Sequence, residues 1–145
     1  LNRFVSCQDE YNILNRNLEA ELIPAMQKYG CGLLPYFPLA SGLLTGKYKR
    51  TEMPEGARLT DMPTFANRVY LTDENFDIVD NLNKFAHKTG HSILELAFGW
   101  MASRPTTASI IAGATKPEQI DANVAAVNWV LSQSEIDEVD KISAR

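Results

Sequence analysis

Cysteine and histidine are scarce, with two of each among 145 residues. Cys7 and Cys31 form no CxxC pair and no cysteine–histidine cluster, so the ligand set of a metal site is missing. They are expected to be free, buried thiols in a reducing compartment, and the protein to be cytoplasmic. Positive charge is short too: 14 lysines and arginines stand against 18 acids, a formal net charge of −4. A nucleic-acid partner calls for a basic face, so that class is set aside. No apolar run approaches the roughly 20 residues that span a bilayer, and no secretory leader is visible. The chain opens on Leu1 rather than methionine, and a piece of a longer protein is expected.

Apolar residues make up 45% of the chain, enough for a core of α/β type. Strand-like runs occur at residues 4–8, 32–37 and 108–113. Between the first two, Leu18, Leu22, Ala25 and Met26 recur at helical spacing. Pro24 places that helix start near residue 20 or 21, and Gly30 stops it. Residues 49–72, with Pro54, Gly56 and Pro63, lack periodicity and predict a long loop of functional interest. The stripe Phe76, Val79, Leu82, Phe85 and Ala86 predicts a helix from Thr72 to Gly90. Ser92 with Glu95, Thr115 with Glu118, and Ser132 with Glu135 predict capped helix starts. The middle one of these three helices carries Ile120, Val124 and Val127. Strands that alternate with helices imply a parallel sheet with right-handed crossovers.

Each strand runs into chemistry of its own. Parallel sheets bind ligands at the carboxyl ends of their strands, so the three ends belong together. In "SCQDEYN", the Gln8 carboxamide could pair with another carboxamide, or simply be a satisfied polar group at a strand end. In "LLPYFPLASGLLTGKY", Tyr36 could stack on a flat heterocycle or be plain core. Residues 41–44 would present backbone N–H groups to an anion as the chain enters a helical turn, with Lys47 near by; the alternative for Lys47 is a solvated surface lysine. In "IIAGATKPEQIDAN", a strand passes through small residues into a helix start. Gln119 and Asn123 lie four apart on that helix and could read the edge of a base.

The ordered set "QDEYN", "PYFPLASGLLTGKY" and "GATKPEQIDAN" resembles the carboxyl-terminal half of the aldo-keto reductase family, in the branch that also resembles potassium-channel β subunits. That resemblance implies a partial (β/α)₈ barrel, strands six to eight, with three βα units and extra carboxyl-terminal helices. It also implies an NADP cofactor and a small carbonyl substrate. Gln8 then holds the nicotinamide carboxamide and Tyr36 stacks on its ring. Phe37, Pro38, Leu39, Ser41, Gly42 and Leu43 follow the pyrophosphate, beside Lys47. Arg58, in "PEGARL", corresponds to the arginine that meets the 2′-phosphate. Gly113, Ala114 and Thr115 follow the last strand, Gln119 and Asn123 flank the adenine, and Arg58 and Lys116 are the remaining cationic candidates. Some members carry Lys-Ser at Gly113-Ala114 and arginine at Gln119.

The family's catalytic Asp, Tyr, Lys and His belong to the other half of the barrel, and none is assigned here. His87 and His91 fall around a helix–helix joint. A whole barrel takes about 250 residues, so this chain is expected to be inactive alone. It is expected to pair with the missing amino-terminal half, or with itself, through open sheet edges. The competing reading is a non-catalytic NADPH-binding module that senses redox state.

Overall fold

A computed structural model describes residues 2–61 and 69–145. Strand β1 (Ser6–Glu10) leads through a 3₁₀ turn at Asn17–Glu19 into helix α1 (Leu22–Tyr29), which returns as β2 (Gly32–Tyr36). β1 begins two residues later than expected, and Phe4 and Val5 stand exposed ahead of it. Pro24 occupies the third position of α1, inside the first turn, where its missing N–H removes no helical bond. Gly30 ends the helix at φ 66°, a left-handed cap that glycine adopts without strain. Of the anticipated stripe, Met26 is buried, Leu18 and Leu22 are half-buried, and Ala25 is exposed.

β1 and β2 are parallel, paired from Ser6 with Gly32 to Glu10 with Tyr36. The expected third strand at 108–113 forms only in part. Isolated parallel bridges, Leu33 with Thr107 and Tyr36 with Ile111, hold an extended segment beside β2, and the pairing slips by one residue between them. Pro35 accounts for the interruption. The Gly32 N–H donates to Val5 and the Leu33 N–H to Thr106, so successive N–H groups point to opposite neighbours. That alternation aims position 35 at the third segment, and proline has no N–H to offer there. Contact resumes where the Ile111 N–H donates to the Pro35 carbonyl at 2.9 Å.

Side chains alternate across a sheet. Leu33 and Pro35 lie on the buried face, against the helices. Gln8, Leu34, Tyr36 and Ile111 lie on the opposite face, and none of them is buried. Among the described residues, the sheet is thus covered on one side only.

Beyond β2, a 3₁₀ segment spans Ala40–Thr45 and a one-turn helix, α2 (Arg58–Asp61), interrupts the expected loop. Part of that loop, 62–68, lies outside the described residues. Helix α3 (Asp73–Lys88) starts on Thr72, whose hydroxyl accepts from the Asn75 N–H, and buries Phe76, Val79, Leu82 and Ala86. Helix α4 (Ile93–Ala102) opens on the Ser92–Glu95 capping box and is buried from Leu96 to Met101. Helix α6 (Gln133–Ile142) opens on the Ser132–Glu135 box.

Helix α5 (Pro117–Ala126) departs from expectation twice. The Thr115–Glu118 box does not form. Pro117 takes the first helical position, its preferred place, which moves the cap to Lys116, one residue too late for that box. Its apolar stripe is not buried either. Ile120 is 56% and Val124 64% exposed, because no described segment of the chain covers them.

Asp140 of α6 ties the far end of the chain to the β1–α1 loop. Its carboxylate accepts from Trp100 Nε1 at 2.8 Å and from Arg104, and Arg16 lies 3.1 Å away. Arg16 also grips Glu19 through two bonds, at 3.0 and 2.7 Å.

Candidate functional site

The register sets the site. Pairing of Glu10 with Tyr36, and of Tyr36 with Ile111, places three carboxyl-terminal tips side by side at one end of the sheet, all pointing the same way. The segments that follow them are 11–16, 37–48 and 112–117.

The middle tip carries the densest chemistry. Tyr36 and Phe37 meet edge to face with ring centroids 5.2 Å apart, and the Arg58 guanidinium lies over Phe37 at 5.4 Å. A cation over an aromatic face is attracted by the ring quadrupole. The backbone here is unusual. Phe37, Ala40 and Ser41 have φ of 53°, 48° and 57°, and Gly42 has 99°. Side chains disfavour that region, so the surroundings must hold it. Thr45 helps, donating its hydroxyl proton to the Gly42 carbonyl at 2.7 Å. Lys47 curls back over Gly42: a Cβ at that glycine would lie 3.4 Å from its Nζ.

The expected row of anion-facing N–H groups at 41–44 is thinner than predicted. The Gly42 and Leu44 N–H groups both donate to the Leu39 carbonyl, at 2.8 and 3.2 Å, because the tight left-handed turn folds the chain onto itself. Pro38 and Leu43 are buried, and Leu43 faces the core. Leu39 and Ser41 are half-buried.

The outer tips are simpler. Gln8 is exposed on the open face and pairs with Leu34, two residues before the end of β1. Gly113, Ala114, Thr115 and Lys116 are exposed. Gln119 does not stand free: its Oε1 accepts from the Thr115 N–H at 2.7 Å and from the Thr115 hydroxyl at 3.2 Å, so the helix start is partly capped from within. Asn123 lines a groove of about 440 Å³ between α4, α5 and the extended segment, with Phe98, Ile110 and Val124 among its walls.

Two residues at the first tip escaped the sequence reading. Asn12 is fully buried, and its amide nitrogen donates to the Phe37 carbonyl at 3.0 Å. Tyr70 reaches in from the long segment after β2 to donate its hydroxyl proton to Glu10, whose same oxygen accepts from Asn15 Nδ2 at 2.9 Å. Burial and the Glu10 carboxylate both push the Tyr70 phenol up from its usual value, so it stays protonated. A polar residue flanked by apolar Tyr11, Ile13 and Leu14 was the available signal for Asn12; nothing local marked Tyr70.

The histidines stand apart from the tips. His87 is exposed on α3. His91 stacks on Trp129 with centroids 3.9 Å apart, and its Nδ1 lies 3.1 Å from Glu95. Among the described residues no cluster of histidine, cysteine and acidic side chains could hold a metal ion. No described helix is long and apolar enough to cross a membrane. Both cysteines are free thiols and half-buried rather than buried.

This α/β arrangement, with parallel tips converging on an aromatic and cationic loop, belongs to the aldo/keto reductase family, whose family model matches residues 2–144. A probable voltage-gated potassium channel β subunit of Oryza sativa subsp. japonica is 41% identical over 141 residues, 94% of this chain and 42% of its own length. An NADH-specific methylglyoxal reductase of Escherichia coli (strain K12) is 36% identical over 132 residues, 88% of this chain and 38% of its own length. Among solved structures, a glycerol dehydrogenase from Gluconobacter oxydans superposes with a TM-score of 0.77 at 30% identity, over 97% of this chain and 42% of the other. The chain therefore spans about two fifths of the length of these relatives.

Proposed function

We propose that this chain is the cofactor-holding part of an NADPH-dependent aldo-keto reductase that reduces small aldehydes or ketones, one portion of a (β/α)₈ barrel. The observation that carries the reading is the single row formed by Glu10, Tyr36 and Ile111, with Phe37, Arg58 and Lys47 gathered just beyond it. The residues fit a dinucleotide. Tyr36 offers a half-exposed ring, and Gly42 leaves an open cradle under Lys47 that a side chain would crowd. Gln8 would hold the nicotinamide carboxamide and Tyr36 would lie against the ring. Lys47 and the backbone of 37–43 would follow the pyrophosphate. Arg58 and Lys116 are the cations for a 2′-phosphate. Asn123 and the side-chain nitrogen of Gln119 would face the adenine, alongside Gly113, Ala114 and Thr115. When bound, NADPH supplies a hydride; this chain's residues orient it and neutralise its phosphates. The proton donor and its partners belong to sequence outside these 145 residues.

A second reading has its own support, the 41% identity to the potassium channel β subunit. On that reading the same loops hold the dinucleotide in a cytoplasmic redox-sensing module with no useful turnover.

Fluorescence titration of the complete gene product with NADPH and with NADH, followed by turnover against a panel of aldehydes and ketones, tests both. The reductase reading expects saturable NADPH binding and turnover, with none from residues 1–145 alone. Binding without turnover supports the module. Absence of dinucleotide binding rejects both, and tighter NADH binding rejects the roles given to Arg58 and Lys116.

A further inference from the structure

The structure assigns to Asn12 the role of a positioning residue: it pins Phe37, and through it the loop from Tyr36 to Lys47, in the conformation that receives the dinucleotide. The inference rests on the cofactor reading above and adds to it a residue that would touch no ligand.

Asn12 is fully buried, and both its side-chain oxygen and its nitrogen are hydrogen-bonded. The oxygen accepts from the Leu14 and Asn15 N–H groups, both at 2.9 Å. Two backbone donors on that oxygen settle which end of the amide is which, so the nitrogen must face the Phe37 carbonyl, 3.0 Å away. The turn around Asn12 closes by backbone bonds of its own, Asn12 N–H to the Asn15 carbonyl at 3.2 Å and Asn15 N–H to the Asn12 carbonyl at 3.1 Å. The side-chain nitrogen acts across the tips, from the end of β1 to the end of β2, and also lies beside the Tyr70 hydroxyl.

What it grips is a residue in a disfavoured state. Phe37 has φ 53°, the first of the left-handed positions in this loop. A side chain there tends to relax to negative φ unless its carbonyl is held. Relaxation would swing the Phe37 ring away from Tyr36 and from the Arg58 guanidinium that rests on it. It would also shift the following turn, where Lys47 covers Gly42. A single buried amide thus supports the stacking tyrosine, Arg58, Lys47 and the glycine cradle together.

Asn12→Asp keeps the shape and the acceptor oxygen but removes the donor. At pH 8 in the complete gene product, the Kd for NADPH should rise at least tenfold, while kcat at saturating NADPH stays within twofold. A residue that only stabilises the fold would lower the fraction of active molecules and leave the Kd of the folded ones unchanged; that result overturns the inference. If the wild type binds no dinucleotide, the cofactor reading falls as well, whereas equal binding by wild type and variant removes only Asn12. A wild-type measurement covers the case of an unfolded variant. The Asn12 side-chain amide protons should exchange slowly, and more slowly with NADPH bound. Fast exchange in the bound state would show that no such pin exists.

Discussion

Glu19 carries two opposed effects. Burial pushes its carboxyl up, but hydrogen bonds from Arg16 and from the Tyr11 hydroxyl, the latter at 2.6 Å, outweigh it and hold the group below its usual value. Tyr11 responds in the other direction, raised by burial and by the same carboxylate. A depressed acid stabilises the fold above the unfolded value, roughly pH 4.3, and that stabilisation is lost as pH falls through the folded value. Glu19→Gln should therefore lower the urea stability at pH 7 by about 1.5–3 kcal/mol, the range for hydrogen bonds to a charged group. It should also flatten the decline in stability between about pH 5 and pH 3. Urea midpoints measured across that range decide the matter: an unchanged slope would mean that the Arg16–Glu19–Tyr11 cluster is not what holds the β1–α1 loop. The same scale contains the main surprise of the site. Asn12 and Tyr70 sit 58 positions apart in sequence, yet both converge on the first tip, and only the fold brings them there.

Among the elements, α4 is the most constrained, since its residues from Leu96 to Met101 are buried throughout. Gly99 lets the Trp129–Leu131 segment cross its surface. An added Cβ would meet Leu131 Cδ1 at 2.5 Å and the Trp129 carbonyl oxygen at 2.6 Å. Leu131 could shift, but a backbone oxygen cannot move without the whole segment. Gly99→Ala should destabilise the fold by about 1–3 kcal/mol through overpacking, despite the higher helix propensity of alanine. Thermal or urea unfolding tests this, and a neutral or stabilising outcome would mean that the crossing is loose. Element ends were well marked in the sequence wherever a serine or threonine preceded a glutamate without interference, as at Ser92 and Ser132. They were misjudged at Thr115, where Pro117 overruled the local pattern.

For the molecule as a whole, the uncovered surfaces form one consistent set. No described segment fully covers the sheet face of Gln8, Leu34, Tyr36 and Ile111, and helix α5 turns Ile120 and Val124 outward. Parallel sheets are normally covered on both faces, and contiguous exposed apolar surface signals a partner. The 145-residue chain alone should self-associate, sedimenting faster than a 16.2 kDa monomer. Val124→Asp should shift it toward the monomer. A monodisperse monomer at micromolar concentration would contradict this reading of the surface.

Residue order alone determined the βα rhythm, the helix stops at Gly30 and Gly90, the inward stripe of α3 and the family signatures at the three tips. These are local matters, set by backbone sterics and by side-chain periodicity within a few residues. The tertiary structure alone decided the rest. Pro35 breaks the third ladder because sheet alternation aims its missing N–H at that neighbour. The α5 stripe stays exposed because no described part of the chain covers it. Asn12 reaches Phe37 across 25 positions. Such contacts depend on which segments the sheet register sets side by side, and no short window of sequence carries that information.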